Sequence, residues 1–274
     1  MPPPVSSPKH VAYIFTSFPK LSEKFLEREL EGLARYTDLN VEIHTLIGSG
    51  GNTYFRFPVF RFRAIDWLAL PFRLVKELVR RPEAFHEMAQ LNDADPPRSW
   101  INGAEHYLGL AFAVVRAAEF RQRPLRRLHA VWATAPASAA LLLQRLNDTP
   151  FSMGCHAYDL YRYGGDVLLS EKIFGARFIQ TSTAQAWDEI IARGAPPEKV
   201  FLIRRSAPPA DHAPSVDALS NRTKPGADPI EKAPGRSTRK DPTRILCVGR
   251  LVEKKGYFEL LTILRQCLDE SIPF

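Results

Sequence analysis

The sequence predicts a doubly wound α/β domain, then a proline-rich linker, then the first strand and helix of a second α/β domain. Three observations carry the prediction. Short apolar runs alternate with segments of helical periodicity from residue 11 to 206. Strand, helix, strand at this spacing is a βαβ unit, which sets neighbouring strands parallel. Between 207 and 243 the texture changes, with seven prolines and almost no large apolar residue, and a strand-like run and a helical run then return.

Residues 1–10, "MPPPVSSPKH", lack an apolar signal core and are expected to form a disordered tail. "VAYIFTSF" (11–18) reads as a buried strand. Leu21, Phe25, Leu26, Glu29, Leu30 and Leu33 then recur at helical spacing with the apolar residues on one side, and Ser22 is the candidate N-cap. "VEIHTLI" (41–47) is a second strand. "YFRFPVFRFR" (54–63) alternates aromatic residues with arginine, and "IDWLALPFRLVKELVRR" (65–81) is an amphipathic helix despite Pro71. A helix from about Ser99 to Phe120 follows the break at Pro96-Pro97.

Strands are then expected at 128–132, 151–155, 176–182 and 199–204, and helices at 136–146, 166–174 and 184–194. About six strands result, in one domain spanning 11–206. Residues 207–243 read as a flexible linker. "RILCVGR" (244–250) is a fresh strand and "YFELLTILRQCL" (257–268) a helix. One strand and one helix bury no core, so a second domain cut short at Phe274 is expected.

At 45% hydrophobic and 24% charged residues the chain is ordinary for a soluble protein. Cys155, Cys247 and Cys267 are scattered without metal-ligand spacing, so neither a metal site nor a disulfide framework is expected, and a reducing cytoplasm fits. No apolar run reaches the roughly 18 residues needed to cross a bilayer. The net charge of +7 favours anionic partners. Nucleic acid is not expected among them, since no helix-turn-helix, RNP or zinc signature is present. The basic, amphipathic helix near 66–81 suits peripheral contact with an anionic membrane, or ordinary core packing.

Three stretches carry candidate chemistry. In "VGRLVEKKGY" (248–257), Gly249 turns the chain at a strand's carboxyl end, and Arg250 and Lys255 can converge on a diphosphate. A solvated turn is the plain alternative. In "CHAYDLYRYGGD" (155–166), His156 follows a strand and Asp159 lies three residues on. His156 is either a satisfied structural group or a hydrogen-bond donor to a ligand, with Asp159 or a backbone carbonyl fixing its tautomer. In "TSFPKLSEKF" (16–25) there is no GxGxxG, which disfavours dinucleotide binding. Lys20, Ser22 and Glu23 face either an acceptor or nothing but the helix start.

Taken in order, "SFPKLSEKFLERE", "HAVWATAPASAALLLQRL", "PFSMGCHAYDLYR", "DVLLSEKIFGARFIQTST" and "ILCVGRLVEKKGY" resemble the retaining glycosyltransferases of family 4, in the bacterial exopolysaccharide or colanic-acid flavour. The resemblance covers about 11–206 and 244–274. It implies the GT-B architecture, two Rossmann-like domains facing across a cleft, with the acceptor bound by the first and a nucleotide-sugar by the second. It implies no metal and no cofactor, the nucleotide-sugar serving as co-substrate, and a glycan or lipid-linked acceptor. By the same resemblance Gly249, Arg250 and Lys255 hold the donor diphosphate, His156 lies near the transferred sugar with Asp159 as its companion, and Ser22 and Glu23 lie on the acceptor side. The chain departs from the pattern in four places. "RRSAPPAD" replaces a glycine-containing turn, the linker 207–243 is longer than usual, Trp132 stands where a smaller residue is usual, and the family's Glu-x7-Glu segment is expected beyond Phe274. This chain alone is therefore expected to be inactive, and a non-catalytic remnant is the alternative.

Overall fold

The computed structural model describes residues 10–123, 125–205, 245, 247 and 255–272. The chain divides into two units, Met1–Ala207 and Pro208–Phe274. The expected tail up to residue 9, the linker 207–243 and most of the strand 244–250 lie outside the described residues.

Eight strands form the sheet of the first unit: β1 (His10–Phe15), β2 (Asn40–Thr45), β3 (Thr53–Tyr54), β4 (Phe57–Arg61), β5 (Arg127–Ala130), β6 (Phe151–Gly154), β7 (Ile179–Thr181) and β8 (Val200–Leu202). Their order is β3-β4-β2-β1-β5-β6-β7-β8. All pairs are parallel except β3-β4, a short antiparallel hairpin. The helices are α1 (Lys24–Tyr36), α2 (Ala64–Arg80), α3 (Pro82–Ala94), α4 (Trp100–Gln122), α5 (Ala135–Asn147), α6 (Tyr158–Tyr161), α7 (Leu169–Gly175) and α8 (Ala184–Ala192).

Side chains alternate between the faces of a strand, and β1 serves both. Ala12 and Ile14 join the larger core with Phe112, Leu141, Leu128 and Ala130. Tyr13 and Phe15 join the smaller core with Leu26, Leu30 and Ile43. Helices thus cover both faces, as a doubly wound parallel sheet requires. Helices α4 and α5 pack tightly against each other. A Cβ on Gly109 would lie 2.2 Å from the Ala135 carbonyl oxygen, so only glycine lets the two backbones meet there.

Several expectations need correction. Eight strands form, not six, because 53–61 adds a hairpin at the sheet edge. Pro82 starts a separate helix, α3, where no helix was assigned. Ser22 is not an N-cap: Leu21–Glu23 form a single 3-10 turn, α1 starts at Lys24, and Ser22 is exposed. The helix expected from 166 starts at Leu169, since Leu168 is left-handed at φ 53°. The Ser99 side chain does cap α4, accepting from the Asn102 amide at 3.2 Å. Helix α2 continues through Pro71, which lies on its exposed side. Its inward Glu77 is 1% exposed and pairs with Arg80 at 2.7 Å and Arg121 at 3.0 Å. Burial raises the Glu77 pKa, but the two guanidinium groups outweigh it and hold the carboxyl below its ordinary value.

In the second unit one helix is described, α9 (Tyr257–Asp269), entered through Gly256 at φ 68°.

Candidate functional site

Strand order reverses beside β1: the chain moves outward to β2 on one side and to β5 on the other. In open α/β sheets, ligands bind at such a switch point, beyond the carboxyl ends of the strands. The segments after β1, β5, β6 and β8 meet there: Arg205 lies against Phe25 and Trp132, Trp132 against His156, and Glu23 acts on Arg205 through its charge.

His156 owes its position to two features. The first is Gly154, where a Cβ would lie 2.4 Å from the Val131 carbonyl oxygen and 3.1 Å from His156 Nε2. A side chain there would push apart the ends of β5 and β6 and displace the ring. The second is Asp159, whose Oδ1 accepts from the His156 amide at 2.9 Å and whose Oδ2 accepts from the Ala133 amide at 3.2 Å. Asp159 therefore ties the two loops together through their backbones. It does not orient the imidazole as expected from sequence: His156 Nδ1 is buried and has no hydrogen-bond partner among the described residues. Burial raises the Asp159 pKa, and the amides it accepts from oppose that rise.

Behind the loop, Lys172 Nζ donates to the Ala133 carbonyl at 2.9 Å and to Asp166 Oδ1 at 3.2 Å. Both backbone polar groups of Ala133 are thus held, and the wall of the crevice is fixed before any ligand arrives.

The crevice combines aromatic, neutral and charged groups. The Trp132 and His156 rings meet edge-on with centroids 5.3 Å apart. The Arg205 guanidinium lies 3.4 Å from the Phe25 ring centroid and 5.9 Å from that of Trp132. Burial, then the nearby charge of Arg205, lowers the His156 pKa to about 3. The ring is neutral near pH 7, with one nitrogen to donate and one to accept. Glu29, on α1, is raised by burial, against the pull of Arg205 and a hydrogen bond with the Gln180 side chain. The carboxylates of Glu29, Asp159 and Glu23 all act on Arg205, whose pKa burial lowers.

The structure therefore brings His156, Asp159 and Glu23 around Arg205. Glu23 also pairs with Lys20 at 3.2 Å. Lys255 is exposed in the second unit, while Gly249 and Arg250 lie outside the described residues. Sequence reasoning met Arg205 within "RRSAPPAD", as a departure from a glycine-containing turn, and missed Glu29, whose signal was a carboxylate among the apolar residues of α1. Among the described residues no cluster of three or more His, Cys, Asp or Glu is placed to hold a metal ion. None of their helices is long and apolar enough to cross a membrane.

No protein-family model and no curated protein matches the chain. Among solved structures, the apo form of the lipopolysaccharide outer core galactosyltransferase WaaB is similar, with TM-score 0.44 and 8% identity over 71% of this chain and 45% of that one. A protein assigned as a UDP-N-acetylglucosamine 2-epimerase from Listeria monocytogenes is also similar, with TM-score 0.38 and 14% identity over 70% of this chain and 43% of that one. The chain spans less than half the length of either.

Proposed function

We propose that this chain supplies the acceptor-side domain of a retaining glycosyltransferase of GT-B architecture, of the family 4 type that builds exopolysaccharide. The observation that carries the reading is the neutral, buried His156 at the switch-point crevice, in a chain whose motifs follow that family's order. A neutral imidazole donates to or accepts from a sugar hydroxyl without paying to desolvate a charge. The half-buried Trp132 ring offers a flat apolar wall to a sugar ring. In this reading the donor is a nucleotide-sugar, and Gly249, Arg250 and Lys255 grip its diphosphate. Fixed cations there stabilise the charge that grows on the leaving nucleoside diphosphate. Ser22 and Glu23 stand on the side of a glycan or lipid-linked acceptor. Asp159 acts by holding the His156 loop.

A second reading, a non-catalytic binding protein, draws on Arg205, which lies over Phe25 and beside Trp132, within the crevice itself. Transfer assays separate the two. In a protein joining residues 1–274 to a complete donor-binding domain, a panel of nucleotide-sugars should include one consumed in an acceptor-dependent reaction. His156→Ala should then lower kcat by about 10²-fold. Consumption of none of the panel would reject the transferase reading.

A further inference from the structure

Helix α2 has two unlike faces. Asp66, Leu70, Leu74 and Glu77 turn inward. Leu68, Phe72, Val75 and Val79, at spacings of four, three and four, form one line along the opposite side. These four residues are 77%, 72%, 61% and 80% exposed. Trp67 and Leu78, also exposed, widen the stripe. The helix is 17 residues long, or about 25 Å. A continuous apolar stripe of this length on a protein surface marks an interaction site.

The charges decide what it meets. The only acidic residues of α2 are neutralised on the inward side. Asp66 accepts from Arg116 at 3.2 Å, and Glu77 is held by Arg80 and Arg121. Lys76, exposed beside the stripe, and the half-buried Arg73 make no ion pair among the described residues. The outward face is therefore apolar with a cationic edge. In a twofold pair of this chain, like charges would meet across that face. An anionic bilayer complements both features, taking the apolar stripe below its headgroups and the cations at their level.

We propose that α2 is a membrane-surface docking helix that seats the first unit on an anionic bilayer. This does not depend on the glycosyltransferase reading. The test is cosedimentation of the 274-residue chain with vesicles of phosphatidylglycerol and phosphatidylcholine, against vesicles of phosphatidylcholine alone. Stronger binding to the anionic vesicles is expected. The double variant Leu68→Glu/Phe72→Glu should bind at least about a hundredfold more weakly. Lys76→Gln should weaken binding by about fivefold. Both sites are exposed, so urea unfolding of the variants should match the parent. Equal binding of parent and double variant, no preference for anionic vesicles, or self-association of the parent abolished by the double variant would each overturn the proposal.

Discussion

Replacing Lys172 with methionine is expected to lower the unfolding free energy by about 3–5 kcal/mol. The Lys172 side chain is 0% exposed and that of its partner Asp166 is 1% exposed. The ammonium satisfies Asp166 Oδ1 and the Ala133 carbonyl at once. Methionine fills a similar volume, so the loss is electrostatic and not a cavity. What remains is a buried carboxylate with no counter-charge, whose Oδ2 already lacks a partner among the described residues. Removing the carboxylate charge as well, in Lys172→Met/Asp166→Asn, should recover part of the loss, because an unpaired buried charge costs more than a neutral pair. Urea unfolding at pH 7 measures all three proteins. A loss under about 1 kcal/mol for the single variant would mean that water reaches the site and screens it.

The second large effect is loss of stability in mild acid. Burial lowers His106 to about 3, His129 to about 4 and His156 to about 3. In the unfolded chain each protonates near 6.5. Between those limits the unfolded state binds more protons, so stability is full above about pH 6.5 and falls as the pH drops toward the folded-state values. Each histidine removes about 1.4 kcal/mol per pH unit, and three together remove about 4. Glu29 and Asp159, raised by burial, work in the opposite sense, since the folded state takes up their protons first. Glu77, held low, adds to the loss only below about pH 4.5. Of a total stability of about 5–15 kcal/mol, the three histidines remove about 6 kcal/mol between pH 7 and pH 5 before the opposing effect of Glu29 and Asp159, so the first unit should be much easier to unfold at pH 5 than at pH 7. Urea midpoints at pH 7 and pH 5 check this, and equal midpoints would show that the histidines are not held neutral.

Much of the fold was legible because strands of a parallel sheet are buried on both faces and appear as apolar runs. "FSMGC" and "LHAVW" show this, and both correspond to strands. The hairpin at 53–61 was not legible as such. Its alternation was visible, but Pro58 interrupts it, and only the fold shows that this proline comes second in β4, before the residues Val59–Arg61 that pair with β2. Helix α3 merged in the reading with the irregular stretch before Pro96.

The site was legible in part. His156 stood out because it ends a strand. The role of Asp159 did not, since its partners are backbone amides, one of them 26 residues away in sequence on another loop. Arg205 stood in the sequence as part of a turn that departs from the family's pattern. Only the fold brings Phe25, from the first βα unit, beneath a residue that follows the last strand. Long-range convergence of this kind leaves no local pattern to read.

The account rests on the crevice around His156 being a carbohydrate site. The most direct measurement is a nuclear magnetic resonance titration of the 274-residue chain with a panel of oligosaccharides and nucleotide-sugars, following the Trp132 indole N–H and the His156 ring. At least one carbohydrate should shift both signals saturably in the parent, and the shift of the Trp132 indole should vanish in His156→Ala. If no member of the panel moves either signal while the protein stays folded, the crevice is not a carbohydrate site and the proposed function is wrong.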